Sequence, residues 1–313
     1  MRNMPIQSTL SIIAVAILGY LSYAIWIGWE ETLHAVWRLG MTGIGFVLSL
    51  SLLNYLLRFS RWQWYLSTVD HQDLPVTQSL RYYFAGFAFT TTPGKIGEMV
   101  RSVFLKQHAV SYPQSLSMFF VERLSDLLAT LILGAFVLWH FDNYQQWIIV
   151  PVIGAILLLA LIQQQNLLVN LQTWLTYRVS TRFEHLFDLI LHSRILLKSR
   201  FLYGGLLLGL LAWGAEGIGF YYILQIVGIE SSVFLAIGVY AMSLIIGALS
   251  FLPGGLGGTE VAMLFLLTAM GASHENALAV TLICRFSTLW FAVVLGALAL
   301  MGLKFRPIQE DFS

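Results

Sequence analysis

Long runs of apolar residues are the feature that most constrains how this 313-residue chain can fold. A helix needs about 17–25 mostly apolar residues to cross the hydrocarbon core of a lipid bilayer. Six runs are long enough, and we interpret them as membrane spans: residues 10–29, 39–57, 115–139, 147–163, 201–227 and 277–303. The sequence therefore predicts an all-α polytopic membrane protein.

The composition supports this fold class and excludes several others. Hydrophobic residues make up 58% of the chain and charged residues 11%, whereas soluble domains carry about 25% charged residues. This shortage of charge excludes a soluble enzyme, a disordered protein and a nucleic-acid binder. Cys284 is the single cysteine, so an intrachain disulfide is also excluded. The seven histidines show no metal-ligand spacing, and neither a metal nor a cofactor is predicted.

Two further apolar regions, residues 82–106 and 233–270, are interrupted by proline and glycine. Both residues break helices, and lipid cannot satisfy the backbone groups that they free, so such backbone must lie inside protein or line a wet cavity. We predict that both regions are re-entrant, which gives about eight membrane segments in total; an ordinary turn outside the membrane is the alternative. The residues that form the breaks are Pro93, Gly94, Gly97, Pro253, Gly254, Gly255, Gly257 and Gly258.

The two halves of the chain resemble each other. Glu98 precedes Arg123 by 25 residues, and Glu260 precedes Arg285 by the same number. From the arginines onward, seven of sixteen positions are identical at an offset of 162 residues. Three predicted spans separate the broken regions, so the second copy would be inverted in the membrane, as in many secondary transporters. The predicted repeat regions are residues 39–139 and 201–303.

The distribution of basic residues predicts the orientation of the chain. If the N-terminus is cytoplasmic, fourteen lysines and arginines fall on the cytoplasmic side and Arg38 alone falls outside. Because cytoplasmic loops carry the excess of lysine and arginine, we predict a bacterial-type inner membrane protein with both termini in the cytoplasm. We expect one transmembrane domain, residues 1–313, without an appended soluble domain. The polar segment 164–200 is expected to be a cytoplasmic amphipathic linker, either a connection between the halves or a lipid sensor.

Charged residues in or at the ends of the apolar segments are the candidate functional residues. A charge at the centre of a membrane helix costs about 2.5–3.5 kcal/mol on insertion scales, so it normally pairs or faces a cavity. Either the glutamates and arginines form ion pairs that hold each broken segment to its following helix, or the arginines bind a lipid phosphate. These two roles are compatible. The candidate substrate-binding residues are Glu98, Arg101, Arg123, Asp126, Glu260 and Arg285.

Two other sets of polar residues carry different predictions. Glu216, alone on its predicted span, is a candidate for proton coupling, and a helix–helix hydrogen bond would explain it equally well. Basic and aromatic residues near the ends of apolar segments are typical of anchors at the membrane surface. The residues expected to anchor the protein at the cytoplasmic surface are Arg58, Arg61, Trp62, Trp64, Tyr65, Tyr82 and Tyr83.

Several short motifs together resemble a known family. They are Arg61-Trp62, Pro93-Gly94 followed by Gly97-Glu98 and Arg101, Glu122-Arg123 followed by Asp126, and Pro253-Gly254-Gly255-Leu256-Gly257 followed by Glu260 and Arg285. With these motifs, the chain from about residue 39 to 303 resembles the lysylphosphatidylglycerol synthase transmembrane region, a flippase-like family. In its multiple peptide resistance factor branch, such a membrane region moves aminoacylated phosphatidylglycerol between leaflets, and a soluble domain makes that lipid. The resemblance covers the membrane region alone, so it implies lipid translocation and not aminoacyl transfer.

The functional prediction is therefore a lipid translocase and not an enzyme. It would move an amphipathic phospholipid or lipid-linked headgroup between leaflets by alternating access, with the bilayer lipid as its partner and a lipid-synthesising enzyme as a further candidate partner. No ATP-binding motif is present, so a gradient or the lipid's own concentration difference would drive it. The main alternative is a membrane-embedded enzyme or accessory subunit of glycolipid or isoprenoid-lipid biosynthesis that uses Glu98 and Glu260 as acid and base. A third is a structural partner that holds a synthase through segment 164–200.

Overall fold

The computed structural model describes residues 6–140, 153–154, 157, 193–301 and 303, with backbone alone for 6–29, 93–96 and 139–140. Within these ranges the regular structure is helical, so the all-α prediction is confirmed for them. The α-helices are α1 (Ile6–Leu66), α2 (Val76–Phe87), α3 (Arg101–Lys106), α4 (Tyr112–His140), α5 (Ser199–Val227), α6 (Val233–Leu249), α7 (Gly258–Ala269), α8 (His274–Arg285) and α9 (Phe291–Met301). The first break forms a 3-10 segment, Pro93–Val100, the second another, Pro253–Gly255, and a π-helical turn, Phe286–Trp290, joins α8 to α9.

Several helices have the length and apolar composition that a membrane span requires. In the described ranges these stretches are Glu30–Leu66, Ser199–Val227 and His274–Met301. They overlap the predicted spans 39–57, 201–227 and 277–303. The protein is therefore a multi-pass membrane protein, and the count of eight membrane segments stays a prediction.

Helix α1 extends over both of the first two predicted spans. Gly40 interrupts its right-handed backbone with a φ of 62°, a conformation that glycine adopts without the steric cost that other residues pay. This irregularity lies at the start of the predicted span 39–57, directly after the predicted connection from span 10–29.

Helix α5 packs against α1, α4 and α6, and glycines on it permit close approach. A Cβ atom at Gly209 would lie 3.2 Å from the Cβ of Ala129 on α4, and one at Gly217 would lie 2.9 Å from Ile237 on α6. Small residues at helix contacts matter in membranes because lipid tails are as apolar as the side chains, so close packing supplies the attraction.

The helix before each break packs on the helix at the end of the other predicted repeat region. Helix α2 packs on α9, and α6 packs on α4. The glycines at these contacts are related by the offset of 162 residues: a Cβ at Gly134 would lie 3.3 Å from Ile245, and one at Gly296 would lie 2.2 Å from the Ala88 nitrogen. Equivalent helices of the two halves therefore pack on each other in equivalent ways. The inverted orientation of the repeats stays a prediction.

The two breaks contact each other. Gly254 has a φ of 62°, and a Cβ there would lie 3.0 Å from the Thr91 Cα just before the first break. The flanking helices are short: α2 and α7 have 12 residues and α6 has 17, or about 18 and 26 Å at 1.5 Å per residue. Each is shorter than the hydrocarbon core of about 30 Å. That the two interrupted regions are re-entrant stays a prediction.

Two predicted segments lie mostly outside the described residues. They are the span 147–163, apart from residues 153–154 and 157, and the linker 164–200, apart from its last eight residues. In that last part Leu196 and Leu197 are buried against the aromatic core beside α1 and α2.

Candidate functional site

A cluster of ionic side chains is buried between α1, α3, α4 and the first break. Four arginines and three carboxylates lie within 4 Å contacts of one another. Six of the seven residues are at most 6% exposed, and the Arg123 side chain is 20% exposed. Buried charges are tolerated when they are paired and hydrogen-bonded. The members are Arg58, Arg61, Glu98, Arg101, Glu122, Arg123 and Asp126.

Two carboxylates on α4 each accept a short hydrogen bond from a different arginine. Arg61 Nη2 donates to Asp126 Oδ1 at 2.7 Å, and Arg101 Nη2 donates to Glu122 Oε2 at 3.0 Å. The Tyr83 hydroxyl donates to Glu122 Oε1 at 2.8 Å. Because Glu122 and Asp126 are four residues apart, they share one face of α4, and these bonds fix both carboxylates.

The prediction that the residues at the end of α1 anchor the cytoplasmic surface is wrong. All but Trp64, which is partly exposed, are buried, and the carboxylates of α4 and the first break supply the arginines with partners. The Trp62 ring also packs inward, with its centre 4.4 Å from the Arg101 guanidinium. The buried members of the predicted anchor are Arg58, Arg61, Trp62, Tyr65, Tyr82 and Tyr83.

Arg58 is held in a different way from Arg61 and Arg101. Its guanidinium carbon lies 5.6 Å from the ring centre of Phe87 and 5.3 Å from that of Trp213. The Trp213 indole is itself fixed, because its Nε1 donates to Asp126 Oδ1 at 3.2 Å. Carboxylate oxygens approach Arg58 Nη2 to 3.7–3.9 Å. Its Nε and Nη2 have no hydrogen-bond partner among the described residues.

A second ionic pair, Glu260 and Arg285, holds the backbone of the second break. Arg285 Nε donates to Glu260 Oε1 at 2.7 Å, and Arg285 Nη2 donates to the Gly254 carbonyl at 3.0 Å. The other Glu260 oxygen accepts a hydrogen bond from the Gly257 backbone nitrogen at 2.8 Å. One arginine and one glutamate thus satisfy backbone groups that the interrupted helix leaves without helical partners.

A cavity of about 280 Å³ lies between these two ionic groups. Both halves of the chain contribute to its wall, including Phe87 and Thr90 from the first and Gly254 and Thr259 from the second. The charged residues that line it are Arg58, Arg123, Asp126, Glu216 and Arg285. With all of these ionised, the wall carries three positive and two negative charges.

Glu216 contributes a carboxylate to this wall from α5. It is 4% exposed, and its Oε2 accepts a hydrogen bond from the Tyr240 hydroxyl on α6. The contact is the helix–helix hydrogen bond that the sequence analysis offers as one explanation. Elsewhere in the cavity wall, the Tyr55 hydroxyl donates to the Thr288 carbonyl, which lies in the π-helical turn directly after Arg285. Such turns are often found at functional sites.

The predicted site residues divide into two groups. Arg123, Asp126 and Arg285 line the cavity, whereas Glu98, Arg101 and Glu260 do not. Glu98 lies behind the wall, 3.7 Å from Arg123 Nη2, and accepts a hydrogen bond from the Thr90 hydroxyl. Glu260 is connected to the cavity through the hydrogen bond that it accepts from Arg285 Nε.

Arg58 is the charged cavity residue that was not among the site residues predicted from the sequence. The signal that could have identified it is its spacing of three residues from Arg61, which places two arginines on one face of an apolar helix. Two such charges at the end of a membrane span resemble surface anchors unless their partners are known. No group of three or more His, Cys, Asp or Glu residues in the described ranges could hold a metal ion.

Comparison with known proteins identifies membrane proteins of similar sequence. A UPF0104 membrane protein of Pyrococcus horikoshii is 20% identical over 319 aligned residues, covering 92% of this chain and 94% of that protein. A UPF0104 membrane protein of Methanothermobacter thermautotrophicus is 33% identical over 92 residues, covering 29% of this chain and 28% of that protein.

An enzyme also shares part of the sequence. A phosphatidylglycerol lysyltransferase of Staphylococcus epidermidis is 29% identical over 100 residues, which are 32% of this chain and 12% of the enzyme. The chain thus aligns with about a quarter of the Methanothermobacter relative and a smaller part of the lysyltransferase. The family model described as the lysylphosphatidylglycerol synthase TM region matches residues 11–296. Since that match covers most of the sequence and all the ionic residues above, the chain belongs to the lysylphosphatidylglycerol synthase TM region family.

Proposed function

We propose that this protein translocates an amphipathic lipid, either a phospholipid or a lipid-linked headgroup, between the leaflets of the inner membrane by alternating access. The observation that carries the proposal is the charged cavity inside a multi-pass membrane protein. Arginines from three elements converge on it: Arg58 from α1, Arg123 from α4 and Arg285 from α8. Intramembrane charges that face a cavity mark the pathways of substrates and ions.

The size of the cavity agrees with a headgroup rather than a whole lipid. Drug-sized ligands occupy pockets of about 300–1,000 Å³, and this one has about 280 Å³. A headgroup would enter it, and the acyl chains would remain in the surrounding bilayer. The name of the phosphatidylglycerol lysyltransferase relative supports a phospholipid.

The contact between the breaks supports alternating access. In transporters with inverted repeats, interrupted helices lie at the midplane site and the two halves open alternately on either side. Here Arg285 holds the second break, whose Gly254 packs against Thr91 of the first. Movement of either break would change access to the cavity. We further propose that both termini are cytoplasmic, as the distribution of lysine and arginine predicts.

The enzyme and scaffold alternatives have less support. An enzyme that used Glu98 and Glu260 as acid and base would need both carboxylates at one cavity. Neither lines the cavity, and Glu260 is bound to Arg285. The scaffold alternative depends on segment 164–200, most of which lies outside the described residues.

The test is lipid translocation in proteoliposomes that carry headgroup-varied fluorescent phospholipids and a membrane-impermeant quencher. We expect wild type to move at least one lipid and Arg285→Gln to lose that activity. Arg81→Gln, which changes an exposed arginine, should retain it. All three proteins must first show the same monodispersity in detergent. Translocation that persists in Arg285→Gln would contradict the role of the cavity, and no translocation of any lipid would contradict the proposed function.

A further inference from the structure

We propose that Asn54 is a positioning residue that receives the Glu216 side chain when its carboxyl group takes up a proton. In the structure this carboxyl accepts a hydrogen bond from the Tyr240 hydroxyl on α6, and protonation would transfer it to Asn54 on α1. The inference rests on the proposed function, because it describes how proton uptake would be coupled to movement of the helices around the cavity.

Asn54 is a buried residue whose polar atoms are unpaired. It is 0% exposed, and neither its Nδ2 nor its Oδ1 has a hydrogen-bond partner among the described residues. A carboxamide offers two N–H donors and one acceptor oxygen, and burying such groups without partners costs free energy. A second conformation in which the amide is paired would recover that free energy.

Glycines on α5 show how this helix lies against α1. A Cβ at Gly209 would lie 3.2 Å from Arg61 Nη1, and a Cβ at Gly219 would lie 3.6 Å from Leu50 Cδ1. The residue numbers thus rise along α5 as they fall along α1, so the two helices are antiparallel. They pack closely at both ends of the stretch between these two contacts.

Asn54 and Glu216 lie opposite each other within this stretch. Asn54 precedes the α1 residue of the first contact by seven positions, and Glu216 follows the α5 residue by seven, which is about 10.5 Å along each helix. Seven residues make nearly two full turns, so both residues remain on the faces that α1 and α5 turn toward each other. Glu216 is also buried, at 4% exposed.

The unpaired atoms of Asn54 match a carboxylic acid better than a carboxylate. A protonated carboxyl group has one O–H donor and one carbonyl acceptor, so it would donate to Oδ1 and accept from Nδ2. An ionised carboxylate only accepts, so it would leave Oδ1 without a donor. The carboxylate also accepts the more strongly of the two from the Tyr240 hydroxyl, because a charged acceptor strengthens a hydrogen bond. Ionised Glu216 therefore favours Tyr240, and protonated Glu216 favours Asn54.

The charged and titratable groups around Glu216 do not offer the same pair of atoms. Arginine only donates and an ionised aspartate only accepts, whereas tyrosine and cysteine each offer a single atom. The groups that line the cavity with Glu216 or interact with its charge are Tyr55 and Arg58 from α1, Arg123 and Asp126 from α4, Tyr240 from α6, and Cys284 and Arg285 from α8.

The transfer would change which helices are tied together. With Glu216 on Tyr240, α5 is bonded to α6, whose last residue, Leu249, is followed by the second break at Pro253. With Glu216 on Asn54, α5 would be bonded to α1 and α6 would be released. Because α6 and the second break contribute to the cavity wall, their release would change access to the cavity.

The experiment is a double-mutant cycle of thermal unfolding in detergent with the full-length protein, over a pH series from about 4 to about 9, where glutamates in proteins titrate. At high pH we expect Asn54→Leu to leave the unfolding temperature unchanged or to raise it, because the amide is then unpaired. At low pH the same variant should lower it by at least about 2 °C, because protonated Glu216 loses its partner.

Glu216→Gln completes the cycle. A glutamine side chain has a donor and an acceptor, as a protonated carboxyl group does, so in this background Asn54→Leu should lower the unfolding temperature at every pH. The control is Ser60→Leu, which changes an exposed residue of α1. Its effect should depend neither on pH nor on Glu216→Gln. If Asn54→Leu does not fold, Asn54→Ala gives the same test through the pH-dependent part of its shift.

A shift that is the same at every pH and in both backgrounds, in either direction, would overturn the proposal, because Asn54 would then have one fixed environment. Translocation in proteoliposomes separates this result from the proposed function. A pH-dependent shift without translocation of any lipid would support the pairing of Asn54 with Glu216 and refute the translocase. Translocation together with a pH-independent shift would do the reverse.

Discussion

Arg285 and Glu260, 25 residues apart in the sequence, form a partly buried ion pair in which Nε lies 2.7 Å from Oε1. The same arginine binds the Gly254 carbonyl and the same glutamate binds the Gly257 nitrogen. The pair therefore connects helix α8 to both ends of the second break. It also holds a cavity-lining cation in a fixed position.

This pair should show strong energetic coupling. We predict that Glu260→Gln and Arg285→Gln each lower the unfolding temperature, because each leaves the other charge without its partner at a partly buried site. The loss should be smaller than the loss of about 3–5 kcal/mol that breaking a fully buried pair causes. The double variant should lose less than the sum of the two. Thermal unfolding of the four proteins in detergent gives the double-mutant cycle. Strictly additive losses would show that the two residues act independently.

The packing of α2 on α9 should depend on Gly296. We predict that Gly296→Ala destabilises the protein by at least about 1–3 kcal/mol, the usual cost of overpacking, because the new Cβ would meet the Ala88 nitrogen at 2.2 Å. The matched control is Gly214→Ala, where nothing lies within 4 Å. That control should be neutral or stabilising. Equal unfolding temperatures for the two variants would contradict the packing of α2 on α9.

Linking the two breaks should stop translocation. A Cβ at Gly254 would lie 3.6 Å from the Thr91 Cβ, close to the separation of about 3.8 Å that a disulfide requires. We predict that Thr91→Cys/Gly254→Cys, with Cys284→Ser, forms a disulfide and loses lipid translocation until it is reduced. Each single cysteine variant serves as the control for the strain at Gly254. Full activity of the oxidised protein would show that the breaks need not separate.

The inverted repeat predicts opposite exposure of two surface positions. Asp73 and Glu230 are both exposed, and the predicted topology places Asp73 in the cytoplasm and Glu230 outside. We predict that a membrane-impermeant maleimide applied to intact cells labels Glu230→Cys and not Asp73→Cys, both with Cys284→Ser. Permeabilised cells provide the control for reactivity. Labelling of both positions from one side would refute the inversion.

Glu216 is the residue we expect to couple translocation to protons. Of the two carboxylates that line the cavity, Asp126 is fixed by Arg61, whereas Glu216 accepts a hydrogen bond from a neutral hydroxyl. We predict that Glu216→Gln abolishes proton movement during translocation, measured with a pH-sensitive dye inside proteoliposomes. The exposed Glu275→Gln should behave as wild type does. Proton movement that continues in Glu216→Gln would leave the hydrogen bond to Tyr240 as the structural explanation of this residue.

The sequence alone determined the fold class and indicated two glutamate–arginine pairs. Long apolar runs predict membrane helices because lipid leaves few other ways to satisfy a backbone. The matched spacing of Glu98 with Arg123 and of Glu260 with Arg285 identified both pairs, and the structure places them 3.7 and 2.7 Å apart. Such pairs can be predicted because a charge in an apolar segment needs a partner.

The tertiary structure decided which charges face the cavity. Arg58 and Arg61 end an apolar helix, and sequence reasoning assigned them to the membrane surface; in the structure, α4 provides Asp126 and α5 provides Trp213 to receive them. These partners are 65 or more residues away from the arginines, so no local pattern reveals them. Membrane helices are apolar on the lipid face as well as on the protein face, so their periodicity does not show which side is inside. Only the packing of α1 against α4 and α5 buries both apparent anchors and places Arg58 in the wall of the cavity.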